Sequence, residues 1–295
     1  MARKMLPGVF SSPKLLSPEQ RRKRAFAVVP TLLTLGNAVC GFGAITYAAK
    51  VGPEAVATPN DLYFAALLIF GAMIFDAFDG PVARLSKQTS DFGAQLDSLC
   101  DAISFGVAPA FLMLKFSPVF HPRILWIIAV LYMLCAVLRL ARFNVLKKQP
   151  EPESENFSGL PSPAAAGMVA SLVIIAPGLK KFTGEEMSET TQQFGTFLTK
   201  FSAASLPILT LIVACLMVSR IRYPHIFNQL FRGRRSFQHL VKLIFALVVI
   251  AAVHELAIPL ILSYYVLASP LRALWTRIAH KPPPVTPSAP NPSTT

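Results

Sequence analysis

Long apolar runs restrict this chain more than any other feature. A helix needs about 20 apolar residues to cross a bilayer core of ~30 Å. Eight stretches meet that length, roughly 26–49, 62–84, 93–115, 124–146, 162–180, 201–219, 237–254 and 257–274. Only 15% of the 295 residues are charged, against about 25% in ordinary soluble domains. So few charges cannot clothe a water-soluble domain of this size. The expected fold class is an all-α, polytopic membrane protein, because only intrahelical hydrogen bonds satisfy a lone segment's backbone in lipid.

The net charge of +13 suits nucleic acid or an anionic membrane surface. The basic residues cluster between the apolar stretches, which favours the membrane and argues against nucleic acid as a partner. With a cytoplasmic N-terminus and an even number of spans, 28 Lys and Arg residues sort almost entirely to one side. Only Lys50, Lys115, Arg123, Lys180, Lys181 and Lys200 fall on the other. That is the bias expected of cytoplasmic loops. The four cysteines, Cys40, Cys100, Cys135 and Cys215, each lie within an apolar stretch and read as small buried residues rather than disulfide partners. The basic N-terminus lacks the short apolar core and cleavage site of a secretory signal.

The expected organisation is a basic cytoplasmic segment over 1–24, a transmembrane core over 25–225, a further pair of transmembrane helices over 226–280 and a disordered Pro-rich tail over 281–295. Residues 1–20 could begin as an interfacial helix, and the acidic stretch 151–156 reads as a solvated loop.

Four aspartates stand out against this apolar background. Asp76 and Asp79 are three apart near the cytoplasmic end of the second stretch, and Asp97 and Asp101 are four apart near that of the third. Each pair shares a helix face. A short connection, roughly 86–92, makes the two helices antiparallel neighbours, so all four carboxylates converge at one depth. An ionised Asp at the centre of a membrane helix costs about 2.5–3.5 kcal/mol on insertion scales, and four together also repel. A divalent cation compensates both. Oxygen donors without His or Cys select Mg²⁺, Mn²⁺ or Ca²⁺ over zinc, and two ions in one site suit phosphoryl transfer. Arg84 beside them has two readings, a phosphate partner or a basic anchor at the membrane face.

The string Asp76-Ala-Phe-Asp79-Gly80-Pro-Val-Ala83-Arg84, with Gly93, Asp97 and Asp101 following at fixed intervals, resembles the signature of the CDP-alcohol phosphatidyltransferase family at every fixed position. The resemblance implies a six-helix core. It implies that Asp76, Asp79 and Asp97 bind divalent metal, Mg²⁺ or Mn²⁺, two per site. Asp101 would be the general base and also a ligand. Gly80, Ala83, Arg84 and Gly93 would hold the nucleotide end of the donor, CDP-diacylglycerol. A homodimer in the bacterial inner membrane, with its active site facing the cytoplasm, is also implied.

Further blocks resemble the serine-using branch of that family across residues 30–225. These are Pro30 to Phe42, Ser104-Phe-Gly106, Arg139-Leu-Ala-Arg142-Phe-Asn144, Phe157 to Ala166 and Tyr223-Pro224. The implied acceptor is L-serine. Its carboxylate calls for a cation, and Arg139 and Arg142 stand three apart at the cytoplasmic end of the fourth stretch. They serve that role or anchor the helix. Asn37 binds the donor's cytosine or ribose, or satisfies a neighbouring backbone. Ser104 faces the same side as Asp101 and is a candidate contact to the donor or to the acceptor serine. The alternatives are another acceptor in the same family, glycerol 3-phosphate or inositol phosphate, and a cation transporter that uses the acids as a pathway.

Overall fold

The structure is a computed structural model that describes residues 18–52, 60–85, 91–147, 159–181, 188–219, 221, 223 and 254–279. Every regular element in them is helical: α1 (Pro18–Ala49), α2 (Asp61–Leu85), α3 (Asp91–Asp101), a π-helical segment (Ala102–Val107), α4 (Ala108–Phe116), α5 (Pro122–Lys147), α6 (Ser162–Lys181), α7 (Glu189–Val218) and α8 (His254–Ala279). Six helical spans are long and apolar enough to cross a membrane, with α3, the π-helical segment and α4 forming one of them. Their outward faces carry large apolar side chains such as Leu32, Phe42, Phe78, Trp126 and Phe201. A surface of that kind suits lipid rather than water. The protein is an integral membrane protein.

α1 and α2 pack antiparallel in a constant register. Gly36 faces Phe75, Gly71 faces Cys40 and Gly43 faces Leu68. At the far end the Tyr47 and Phe64 rings lie 5.9 Å apart. Each step along α1 is matched by an equal step back along α2. Glycines alternate between the two helices at these crossings, and their missing side chains let the backbones approach. The same register delivers the N-terminal half of α1 to the aspartate end of α2.

α6 is the most enclosed span, with 72% of its window buried. Its sequence opens on Ser162-Pro-Ala-Ala-Ala-Gly167. Small residues there admit α2, α7 and α8 on different sides, and Gly167 sits against Met73 of α2 and Leu262 of α8. The turn before α6 depends on Gly159, whose φ is +101°; a Cβ there would stand 2.3 Å from the Met217 carbonyl oxygen. Gly159 N–H donates to the Ile221 carbonyl at 2.8 Å and Leu160 N–H to that of Leu216 at 3.0 Å. These bonds clamp the start of α6 to the end of α7.

The third span is not a uniform α-helix. Pro109 has no N–H to offer the Phe105 carbonyl four residues earlier. Tyr132 Oη of α5 donates to that carbonyl instead, at 3.1 Å. Just upstream the helix widens into the π-helical segment, where Ala108 N–H reaches back five residues to Ile103. Asp101 is the last residue before this widening.

The structure also revises element boundaries. α1 begins at Pro18, so the basic run Arg21–Arg24 is helical and continuous with the first span. The sixth span starts at Glu189, about three turns before the expected residue 201, which puts Lys200 on the helix rather than in a loop. The expected eighth span corresponds to α8, which packs on α6 but is not among the six spans above. The expected span 237–254 (apart from its last residue), the loop 151–156 and the tail 281–295 lie outside the described residues. Lys115 Nζ donates to the Val51 carbonyl at 2.9 Å. The two ends expected on one face of the membrane therefore meet. The four cysteines are free thiols, but of these only Cys100 is buried; Cys40 and Cys135 are half-buried and Cys215 is exposed, against the expectation that all four are buried.

Candidate active site

Asp76 comes from the fifth turn of α2, and Asp97 and Asp101 from the last half of α3. One carboxylate oxygen from each lies within 4.8 Å of the others. Three carboxylate oxygens gathered in this way are hard donors of the kind that can hold a metal ion. Asp101 is the most deeply placed, only 8% exposed, while Asp76 and Asp97 are half-buried.

Asp79 is not part of that group of three. Its Oδ2 lies 2.6 Å from Thr34 Oγ1 of α1. Thr34 Oγ1 also stands 3.0 Å from the Pro30 carbonyl. The hydroxyl has one proton, and the carboxylate is the stronger acceptor at the shorter distance. Thr34 was not singled out from the sequence. Its signal was there, however: it stands one turn before Asn37 on an otherwise apolar helix face.

Asn37 is fully buried, and its Nδ2 donates to Asp101 Oδ1 at 2.9 Å. Of the two roles the sequence leaves it, a contact to the donor's nucleotide or a bond to a neighbouring helix, the structure has it bonded to a neighbouring helix, at Asp101. Ser104 does not point into open space either. Its buried hydroxyl donates to the Asn37 carbonyl at 2.9 Å. Gly41 of α1 makes this approach possible, since a Cβ there would fall 2.7 Å from Ser104 Cα. Asn37, Ser104 and Asp101 thus form one hydrogen-bonded set between α1 and the head of the π-helical segment.

Arg139 and Arg142 divide. Arg139 is half-buried and its Nη1 donates to Ser162 Oγ at the start of α6, at 2.8 Å. Arg142 is exposed. One helical turn beyond Arg139, Asn144 Nδ2 donates to Ser98 Oγ at 2.8 Å, which fastens α5 to α3 beside Asp97. Gly80, Ala83 and Arg84 lie on the last turns of α2 and Gly93 in the first turn of α3, at the same end as the aspartates.

Among the described residues, two buried side-chain atoms have no hydrogen-bond partner: Asn37 Oδ1 and Arg139 Nε. An unpaired buried polar group costs about 1–3 kcal/mol, more when charged. The first belongs to the residue bonded to Asp101, the second to the residue bonded to Ser162 at the start of α6.

α8 closes the neighbouring side. Tyr223 Oη donates to the Val266 carbonyl at 3.2 Å, and the Tyr223 and Tyr265 rings lie 5.9 Å apart. Burial pushes the Tyr223 phenol up to about 12, so it remains a donor at neutral pH.

Comparison with known proteins agrees with this arrangement. The sequence model of the family described as CDP-alcohol phosphatidyltransferase matches residues 27–204. The chain is 37% identical over 161 residues to a CDP-diacylglycerol–serine O-phosphatidyltransferase of Mycobacterium bovis, covering 54% of this chain and 53% of that protein. It is 32% identical over 196 residues to a Helicobacter pylori protein of the same name, covering 66% and 71%. It is 34% identical over 204 residues to an archaetidylserine synthase of Methanothermobacter thermautotrophicus, covering 68% and 72%. The chain thus spans about half the length of the mycobacterial relative. The family match contains every residue of the aspartate site and ends before α8.

Proposed function

We propose that this chain, which belongs to the CDP-alcohol phosphatidyltransferase family, transfers the phosphatidyl group of CDP-diacylglycerol to the hydroxyl of L-serine and releases CMP. The observation that carries the reading is the convergence of Asp76, Asp97 and Asp101 within 4.8 Å, with Asp101 buried and hydrogen-bonded to Asn37. The names of the relatives support serine as acceptor.

In this reading Asp76, Asp79, Asp97 and Asp101 hold two divalent cations, Mg²⁺ or Mn²⁺. Bound there, the cations neutralise charge on the pyrophosphate and on the departing phosphate. Asp101 accepts the proton of the serine hydroxyl. The freed oxygen forms a bond to the phosphorus that carries diacylglycerol. The bond from that phosphorus to the bridging oxygen of CMP breaks, and CMP leaves with the electron pair. Gly80, Ala83, Arg84 and Gly93 take the nucleotide end of the donor at the α2–α3 turn. Arg139 meets the serine carboxylate. The burial of Asp101 restricts water, so the amino-acid hydroxyl competes well as nucleophile.

The donor enters from the cytoplasmic leaflet of the bacterial inner membrane, and the protein works as a homodimer. Residues 25–225 form the transferase core, with 1–24, 226–280 and 281–295 as additions to it. The acids lie at one end of two helices rather than along a path across the membrane, which favours a transferase over an ion pathway. Purified protein given CDP-diacylglycerol, Mn²⁺ or Mg²⁺ and labelled serine should form labelled phosphatidylserine and CMP in equal amounts. Labelled lipid formed only from glycerol 3-phosphate or inositol phosphate would replace serine as the acceptor.

A further inference from the structure

Three of the helix prolines share one arrangement. Each has no N–H for the carbonyl four residues earlier, and a hydroxyl from a neighbouring segment donates to that carbonyl instead. Tyr132 of α5 serves Phe105, four before Pro109. Ser117, just after α4, serves Ala203, four before Pro207 of α7. Tyr223, beyond the end of α7, serves Val266, four before Pro270 of α8. The first two bonds join residues of the family match, 27–204, whereas the third lies wholly outside it.

Tyr223 is itself firmly held. It is buried, and two residues before it the Ile221 carbonyl accepts from Gly159 N–H at the turn into α6. α8 is two-sided: Val266 is fully buried toward the core, while Leu260, Tyr264, Leu267 and Leu271 are exposed. Lipid offers the Val266 carbonyl no donor, and an unsatisfied carbonyl in hydrocarbon is costly. Pro270 therefore makes α8 depend on the one place where a hydroxyl meets it.

We infer that Tyr223 is a latch that holds α8 against α6, and that α8 so held is a working part of the transferase core, with Tyr223 a positioning residue for the aspartate end of α2. The link passes through Gly167 of α6. A Cβ there would stand 3.2 Å from Met73 Sδ of α2 and 3.4 Å from Leu262 Cδ1 of α8, so both helices press on the same bare spot. Met73 is three residues before Asp76 and shares its face of α2. Without α8 the crossing that places Met73, and with it Asp76, loses one of its three sides. The catalytic half of this inference rests on the proposed transfer to serine; the docking half does not.

The test uses the full-length protein in lipid–detergent micelles with Met168→Cys as reporter. Met168 is buried on α6, and its Sδ lies 3.7 Å from Ser263 Oγ of α8, so a thiol reagent reaches position 168 when α8 lifts. Modification is followed by mass spectrometry of the peptide that contains residue 168. Tyr223→Phe keeps the ring beside Tyr265 and removes only the hydroxyl; it should speed modification about fivefold or more. Pro270→Ala gives the Val266 carbonyl an N–H within α8, frees α8 from its dependence on Tyr223, and should do the same. The double variant should stay within about twofold of the faster single one, because both changes remove one shared bond. kcat for phosphatidylserine formation should fall at least about threefold in each single variant, with the same lack of additivity.

Multiplied effects in the double variant would show that Tyr223 and Pro270 act separately and would overturn the latch. Unchanged modification in Pro270→Ala overturns it too, whether or not Tyr223→Phe folds. Faster modification with unchanged kcat would make α8 an addition to the core and overturn its catalytic half. A wild-type protein that makes no lipid from serine overturns the serine reading, while the modification rates still decide the latch.

Discussion

Thr34 of α1 and Asp79 of α2 meet at 2.6 Å across the membrane-embedded helix pair. The contact follows from the register in which Gly36 faces Phe75 and Gly43 faces Leu68. It holds Asp79 apart from the cluster that Asp76, Asp97 and Asp101 form. Thr34→Val keeps the shape and removes the donor. We expect a loss of about 1–3 kcal/mol, read as a lower melting temperature in detergent, and a higher Mn²⁺ concentration for half-maximal activity. Thr34→Ser should restore both. A Thr34→Val protein with unchanged metal requirement would separate Asp79 from metal binding.

Asp101→Asn keeps the size of the side chain and removes its ability to take a proton. Turnover should fall by about 10²–10⁴ or more, the usual contribution of a positioned general base. Size-exclusion behaviour and helical circular dichroism should stay as in the wild-type protein. Retained CMP release would sink the assignment of Asp101 as base.

Removal of divalent metal with a chelator should abolish transfer. Mg²⁺ or Mn²⁺ should restore it, and Zn²⁺ should not, because the group is all oxygen. The melting temperature should rise on metal addition, since a ligand that binds only the folded state stabilises it. A preparation stripped of metal, verified by elemental analysis, that remains active would overturn the metal reading.

Gly41→Ala places a methyl group where Ser104 Oγ is 2.3 Å and Ser104 Cα 2.7 Å away. The backbone of α1 or the π-helical segment must move, at about 1–3 kcal/mol. Asn37 is one turn away on the same helix face and carries the contact to Asp101. The substitution should therefore lower both melting temperature and kcat. Ala introduced at Gly52, which has only the Lys115 ammonium nearby at 3.9 Å, should change neither by a comparable amount.

Tyr132→Phe deletes the hydroxyl that serves the Phe105 carbonyl, the group to which Pro109 offers no N–H. The cost should be about 1–3 kcal/mol. It should fall on the segment that begins immediately after Asp101. Faster amide hydrogen exchange confined to residues 101–110 would locate the effect. Uniform exchange across the bundle would argue against a local role.

Much of this was legible along the chain. Six of the eight apolar stretches recur as spanning helices. Helix periodicity and a short connection put all four aspartates at one depth; Asp76, Asp97 and Asp101 do come within 4.8 Å of one another, while Asp79 turns to Thr34. The partners of these residues were less legible. The sequence leaves Asn37 as a ligand contact or a bond to a neighbouring helix and Ser104 as a ligand contact; in the structure the amide and the hydroxyl link α1 to the third span. Ser162 and Thr34 escaped notice because a Ser or Thr in an apolar helix has many possible acceptors, its own backbone among them. Arg139 and Arg142 looked equivalent by spacing, yet one is tethered to Ser162 and the other is exposed.

By itself the sequence determined the membrane setting, the helical class and the placing of four aspartates on two of the helices. These depend on local properties: run length, charge density and periodicity. Only the tertiary structure decided that Asp79 stands apart with Thr34, that Asn37 faces Asp101, and that the third span widens where Pro109 follows. The reason is that helix register is set by glycine and side-chain shape at crossings between distant segments. A shift of a single turn there exchanges one partner for another without altering any local pattern.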